Sequence, residues 1–270
     1  MGLPVLILGY SGSGKSASLR NFKADELALV NVNGKPLPFR TQFENVLNSD
    51  NYKDITAFIK KQSAASIVID DTQYLMANEF MRRAKETGFQ KFTDIGKNFW
   101  ELVRLAETLP NNVIVYFLNH LETGDDGRQK SKTIGKLLDE KITVEGMFTT
   151  VLKTVVNDGK YLFATQTDGN DTCKSPMGLF SGMYIENDLK AVDEALRVYY
   201  HLKPEHNCSE CGGTILPAQG RSVEQIVDGT LKNYGRKLCW SCMVKEINRR
   251  KEAERDAAES VSGGACQQGA

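Results

Sequence analysis

Long apolar runs are missing from this chain. The most hydrophobic early stretch, Leu3-Pro4-Val5-Leu6-Ile7-Leu8, spans six residues, far short of the roughly 20 that a membrane-crossing helix needs. A basic leader and a cleavage-site pattern are also lacking, which argues against a secretory signal. These absences predict no membrane partner and a cytoplasmic protein. Charge of one sign is not in excess, since 34 Lys and Arg face 34 Asp and Glu. No global field then draws the molecule onto nucleic acid or an anionic surface, and any such contact must be local. No internal repeat is visible, which sets aside repeat architectures. Cysteine is scarce outside one region: Cys173 and Cys266 stand alone, whereas Cys208, Cys211, Cys239 and Cys242 form two C-x-x-C pairs. In a reducing compartment that pairing favours a metal over disulfides.

What is present is material for one α/β core and a small appendage: 270 residues, 41% hydrophobic and 25% charged. Strands are expected at Val5–Leu8, Leu27–Val32, Ser66–Ile69 and Val113–Leu118. Each is a Val/Ile/Leu-rich run suited to burial on both faces, and helical patterns fill the gaps between them. Alternation of this kind predicts a mainly parallel sheet flanked by helices. Val151–Val156 and Tyr161–Thr165 flank Asn157-Asp158-Gly159, a strong hairpin signal, so the sheet is expected to end in antiparallel strands. Glu186–Tyr200 and Met243–Glu259 read as helices, and Ser262–Ala270 as a disordered tail. The expected division is a nucleotide-binding unit over 1–203, a metal module over 204–245, and a charged helix with tail over 246–270.

One motif carries chemistry at once. Gly9-Tyr10-Ser11-Gly12-Ser13-Gly14-Lys15-Ser16 follows the first strand and precedes a helical pattern. Backbone amides of such a loop and a helix N-terminus suit phosphate oxygens. Lys15 is expected on the β- and γ-phosphates and Ser16 on Mg²⁺, while Gly12 and Gly14 admit close backbone approach. The partner acid should sit at the tip of an apolar strand. Ser66-Ile67-Val68-Ile69-Asp70-Asp71 offers it, with Asp70 on the Mg²⁺ side and Asp71 either orienting or deprotonating water or capping a helix. Asn119 and His120 close the Val113–Leu118 strand, where they either sense a γ-phosphate or cap a turn.

The two C-x-x-C pairs lie 27 residues apart and can present four thiolates to one tetrahedral ion, which favours Zn²⁺ with an iron–sulfur cluster as the alternative. All four positions would be filled by protein, so the module is expected to stabilise or to bind. Arg236, Lys237 and Trp240 are its candidate contact residues, with Trp240 equally able to pack a small core.

Together the phosphate loop, Val68-Ile69-Asp70-Asp71, the Asn119-His120 strand end and the stretch Lys132–Lys136 through Ile142–Gly146 resemble phage-encoded RecA-like ATPases, including single-strand annealing proteins of the Sak type. The resemblance covers about residues 3 to 185. It implies a RecA-like P-loop core, ATP hydrolysis with Mg²⁺, homo-oligomers on single-stranded DNA, partners among phage replication or recombination proteins, and a host-cell cytoplasm. It also implies DNA contacts in two loops. One holds Phe80, Arg82, Arg83, Lys85, Phe89, Lys91 and Phe92; the other holds Arg128, Lys130, Lys132 and Lys136 behind Gly124-Asp125-Asp126-Gly127. A core or solvated-surface role is open for the same residues, and Lys132 or Lys136 could instead reach a neighbour's nucleotide. Type II thymidine kinases are a second resemblance, through Asp70-Asp71-Thr72-Gln73-Tyr74 and four zinc ligands, although Asp71 stands where that family has its catalytic Glu. A helicase-loading accessory ATPase is a third possibility.

Overall fold

The computed structural model describes residues 1–202, 206–213, 215–216, 218–221 and 223–262. Residues 263–270 of the expected disordered tail, with Cys266, lie outside the described residues. The chain divides into two compact units, Met1–Lys203 and Pro204–Ala270.

The first unit is built on strands β1 (Leu3–Gly9), β2 (Leu27–Asn31), β3 (Asn45–Leu47), β4 (Ser66–Asp70), β5 (Ile114–Thr123), β6 (Gln129–Ser131), β7 (Thr150–Asn157), β8 (Lys160–Ala164) and β9 (Tyr184–Glu186). Its helices are α1 (Tyr52–Lys61), α2 (Gln73–Arg82), α3 (Gln90–Glu107) and α4 (Leu189–Tyr199). The sheet runs β3-β2-β4-β5-β1-β7-β8-β9, with β6 paired to the far end of β5. From β3 to β7 every pairing along this order is parallel; β7–β8 and β8–β9 are antiparallel. The antiparallel end is therefore as expected. Asp158 at φ 49° and Gly159 at φ 74° form the turn between β7 and β8, the pair of positive dihedrals that a tight hairpin requires.

Period-two alternation sorts each central strand onto two faces. Leu6, Leu8, Val30, Ile67, Ile69, Val115 and Phe117 pack with α1, α2 and α3 on one side. Val5, Ile7, Leu29, Val68, Tyr116 and Leu118 pack with Leu19, Phe22 and α4 on the other. Both faces are covered, which is why these strands read as unbroken apolar runs. At the end of the sheet away from the phosphate loop, Asp193 of α4 accepts from Ser66 Oγ (2.8 Å) and Tyr116 Oη (2.9 Å) and pairs with Arg197 (2.7 Å). That buried network ties α4 to the starts of β4 and β5.

Three departures from the sequence reading matter. The helix after the phosphate loop is only a six-residue 3₁₀ segment, Ser16–Asn21. Ser18 Oγ donates to the Lys15 carbonyl at 2.6 Å and competes with helical bonding, and Phe22 turns extended to enter the core. Second, β5 continues past Leu118 to Thr123 because β6 folds back onto it. Third, α4 starts at Leu189 rather than Glu186, since Asp188 accepts from the amides of Lys190 and Ala191 and so caps it.

The second unit contains α5 (Val223–Tyr234) and α6 (Trp240–Ser262). Cys208, Ile215, Ile226, Val227, Leu238 and Cys242 form its core. A division at 245/246 falls inside α6, which runs without a break from the second cysteine pair, so the expected separate charged helix is part of this unit.

Candidate active site

The phosphate loop leaves β1 at Gly9 and is fixed from two sides. Ser13 Oγ bonds Thr154 Oγ1 of β7 at 2.5 Å, and Tyr10 Oη bonds Thr123 Oγ1 of β5 at 2.6 Å. Its glycines are structural necessities. Gly12 has φ 76° and Gly14 φ 100°, and a Cβ on Gly14 would lie 2.8 Å from the Tyr161 ring. A Cβ on Gly9 would collide with Thr154 Oγ1 and lie 2.5 Å from Ser13 Oγ. Ser11, Gly12, Gly14, Lys15, Ser16 and Ala17 line one side of a cleft of about 330 Å³, and Lys35, Asp71, Tyr74 and His120 line the other.

Lys15 is buried, and its ammonium donates to the carbonyls of Gly9 (2.9 Å) and Tyr10 (3.0 Å). Burial lowers its pKa against the raising influence of Asp71 and Asp70. A phosphate reaching Lys15 would exchange those two carbonyls for anionic oxygens. The six-residue 3₁₀ segment adds little macrodipole, so the grip on an anion rests on the loop amides and this lysine.

Asp70 ends β4 across β5 from the loop. Ser16 Oγ donates to its Oδ2 at 2.7 Å, whereas Oδ1 is buried without any hydrogen-bond partner. Burial pushes the Asp70 carboxyl up to about 6; Asp71 adds to this, while Ser16 and Lys15 oppose it. A hydroxyl that lines the cleft and, bonded to it, a buried carboxylate with one orphaned oxygen are the hard oxygen donors that Mg²⁺ takes. The residues present therefore fit that ion.

Asp71 adopts φ 63°, a left-handed conformation uncommon for a residue other than glycine. Its side chain does not cap α2. Asn33 Nδ2 donates to Oδ2 at 2.7 Å, His120 Nε2 lies 3.2 Å from Oδ1, and the Lys35 ammonium is 3.9 Å away. Burial alone would raise its pKa, but the bonds from His120 and Asn33 and the charge of Lys35 prevail and hold it below the usual carboxylate range. The Tyr74 ring meets His120 edge-on, with centroids 5.7 Å apart, and carries the Lys35 ammonium 5.2 Å from its own centroid.

Asn119 is not in the cleft. It is fully buried, its Oδ1 accepts from Thr72 Oγ1 (2.8 Å), and its Nδ2 donates to Ser131 Oγ (2.6 Å) and the Lys132 carbonyl (3.2 Å). The expected γ-phosphate contact is thereby corrected to a strut between β4, β5 and the β6 hairpin. Of the two polar residues at that position in β5, His120 faces the cleft.

The expected DNA cations fare unevenly. Arg82 pairs with Asp50 at 2.6 Å, Arg83 with Glu79, Glu86 and Asp94, and Lys130 with Asp139 at 2.5 Å. Arg128 makes one long contact of 4.0 Å to Asp126, and Lys136 pairs with Glu140 at 3.1 Å. Phe80 and Phe92 stack on one another beneath Lys91, whereas Phe89 is exposed. Lys85 and Lys132 carry no side-chain partner among the described residues. Lys35, Asn33, Thr154 and Tyr161 were not anticipated. They come from segments with no motif spacing, and only their polarity just beyond β2 and within the hairpin strands hinted at them.

In the second unit the four Sγ atoms of Cys208, Cys211, Cys239 and Cys242 lie within 4.8 Å of one another, with Cys211 and Cys239 3.8 Å apart. Four sulfurs at about 2.3 Å from a tetrahedral ion would be separated by about 3.8 Å, so the cluster is compatible with zinc. Gly212, at φ 70°, donates its amide to the Cys208 carbonyl at 2.9 Å and makes the turn at the first pair. Trp240 packs on the small core with Arg221 over its ring, and Arg236 is held by Glu210 and Glu246, so neither is a free contact residue.

No helix of the described residues is long and apolar enough to cross a membrane. No protein-family model matches the chain, and no curated protein matches it either.

Proposed function

We propose that the chain binds a nucleoside triphosphate with Mg²⁺ in this cleft and hydrolyses it. The observation that carries the reading is the meeting of Ser16 and Asp70, 54 residues apart in sequence, in a bond that leaves Asp70 Oδ1 buried and unpartnered. Ser16 and Asp70 are the residues that would hold the ion, which when bound neutralises developing phosphate charge. Lys15 and the loop amides would hold the phosphates. Asp71 stays ionised and accepts a hydrogen bond from water; its lowered pKa makes it a poor base, so it positions rather than deprotonates. His120 and Asn33 fix its direction.

The resemblance to RecA-like ATPases extends the reading to single-stranded DNA, in a host cytoplasm and with copies of itself or replication proteins as partners. One structural feature supports that extension. The β5–β6 hairpin, which carries Arg128 and Lys132, is bonded to the phosphate loop through Tyr10 Oη and Thr123 Oγ1, and His120, which lines the cleft, accepts the Lys132 amide on its carbonyl at 2.8 Å. A change at the phosphate loop would reach those cations through hydrogen bonds.

The test is phosphate release from ATP with Mg²⁺, with and without single-stranded DNA and with nucleosides. Phosphate release that DNA accelerates is expected. An absence of hydrolysis overturns the nucleotide reading, indifference to DNA overturns its extension, and formation of a nucleoside monophosphate replaces both with a kinase.

A further inference from the structure

A second cleft opens beside the phosphate loop, with a volume of about 480 Å³. It shares Ala17 and Tyr161 with the first and is completed by Lys160, Leu162, Asn187 and the ion pair Arg20–Glu186. Asn187 is fully buried, and neither its amide nitrogen nor its carbonyl oxygen has a partner. Such an orphaned pair is costly. Its backbone, by contrast, is engaged on both sides: the amide donates to the Tyr161 carbonyl at 3.2 Å, and the carbonyl accepts from Arg20. The side chain is thus held in place by its own main chain, just behind the phosphate loop. A Cβ on Gly14 would stand 3.3 Å from both its amide atoms.

The direction of a bound nucleotide follows from the first cleft. Asp71 and His120 mark the end where hydrolysis occurs, and Lys35 and Tyr74 lie at that same end. On the nucleotide reading the phosphate chain would run along the loop past Ser16 and leave at Ala17, one of the two residues common to both clefts. There it meets Tyr161, half exposed and resting on Gly14.

Building on the nucleotide reading, we propose that this second cleft is the nucleoside pocket and that it takes adenine. The Tyr161 ring stacks on the base and, on turning away from Gly14, gives access to Asn187. The carboxamide then offers one donor and one acceptor. Adenine presents the complement in its N6 amino group and N7, the pairing that amide side chains make with this base. Guanine presents two acceptors on the corresponding edge and leaves the Asn187 oxygen facing another oxygen.

Titration calorimetry with Mg²⁺ and three probes tests the assignment: the β,γ-imido analogues of ATP and GTP, and tripolyphosphate, which has no nucleoside. Wild-type protein is expected to bind the adenine analogue about ten-fold or more tighter than tripolyphosphate. Tyr161→Ala should remove most of that advantage, and Asn187→Ala should erase the preference for adenine over guanine. Each variant should lose more affinity for the nucleotide than for tripolyphosphate. Equal weakening of nucleotide and tripolyphosphate overturns the pocket, because the two residues would then act only on the loop. Unaltered nucleotide binding in both variants, or a wild-type preference for guanine, overturns it as well. Failure of wild-type protein to bind any of the three defeats the phosphate site itself, whereas tripolyphosphate binding with no gain from the base defeats the nucleoside pocket alone.

Discussion

Ser16 Oγ donates to Asp70 Oδ2 at 2.7 Å while the other carboxylate oxygen is buried with no partner. This half-satisfied acid costs stability whenever it is charged. In the native protein its carboxyl holds a proton up to about pH 6, against an ordinary value of 3.8. The unfolded chain binds fewer protons between these values, so stability falls as pH rises from about 4 to 6 and then levels. The gap corresponds to about 3 kcal/mol at neutral pH. Asp70→Asn is therefore expected to melt higher than wild type at pH 7.5 in magnesium-free buffer, by up to that amount, and to match it near pH 4. Thermal unfolding at the two pH values measures the difference. A variant less stable than wild type at pH 7.5 would contradict the buried-charge account. The same variant should be inactive, because the amide cannot supply the anionic oxygen.

Lys15→Ala should lower kcat by about 10² to 10³, the usual loss when a positioned charge at a reacting group is removed. Its fold should persist, with the Gly9 and Tyr10 carbonyls each losing one donor. Circular dichroism beside a phosphate-release assay separates the two effects. Turnover equal to wild type would displace the catalytic centre from this loop.

Asp71→Asn and Asp71→Ala should differ in stability as well as in rate. Asn tolerates the left-handed backbone at φ 63°, whereas Ala pays roughly 1 kcal/mol there. Both should lower kcat, with Asn retaining the Asn33 and His120 neighbourhood. Because the Asp71 carboxyl lies below the usual range, the acid limb of kcat/KM should follow Asp70, and it should move to lower pH in Asp71→Asn, which removes a charge that raises the Asp70 pKa. A pH profile of that variant whose acid limb disappears would assign the titration to Asp71 instead.

Legibility followed burial. β1, β2, β4 and β5 were readable because both faces are covered and the runs are unbroken, and the β7–β8 hairpin because Asp158-Gly159 can take positive dihedrals. β3, β6 and β9 are three residues each, too short to show a period. Missing β6 had a consequence at the site. With no strand expected beyond Leu118, Asn119 read as an edge residue facing ligand, when in fact it is buried, its amide nitrogen bonded to the hairpin and its oxygen to Thr72. The loop and Asp70 were legible as a motif and a strand end, and the fold brings Ser16 and Asp70 together. Lys35, Thr154, Tyr161 and Asn187 were not, since parallel crossovers bring the first two to the loop and the antiparallel strands β8 and β9 bring the other two.

The hairpin cations and the α2–α3 arginine should separate binding from folding. Arg83 holds Glu79, Glu86 and Asp94 together, so Arg83→Ala is expected to lower the melting temperature slightly, as a network of partly exposed pairs allows. It should leave any DNA dependence intact. Lys132→Ala and Arg128→Ala should do the reverse, reducing DNA stimulation of hydrolysis and flattening its salt dependence by roughly one counterion each. Filter binding across a salt series, together with melting curves, checks both halves. A stimulated rate that survives the double substitution at Arg128 and Lys132 would remove the hairpin as the DNA contact.

The second unit has a core of few side chains, two of which are Cys208 and Cys242 themselves. A core of that size does not stabilise a fold without a covalent or metal crosslink. The four sulfurs within 4.8 Å are free cysteines rather than disulfides and could hold an ion as that crosslink. Purified protein should contain one zinc per chain, and a strong chelator should unfold α5 and the cysteine-bearing start of α6, with a matching loss of helical ellipticity. Cys211→Ser should reproduce that loss without chelator, because three thiolates hold the ion less tightly than four. Cys173→Ser, a buried cysteine of the first unit, should not change the zinc content. Metal analysis and far-ultraviolet circular dichroism read these outcomes, and full ellipticity in chelated protein would make the cysteine cluster dispensable to the fold.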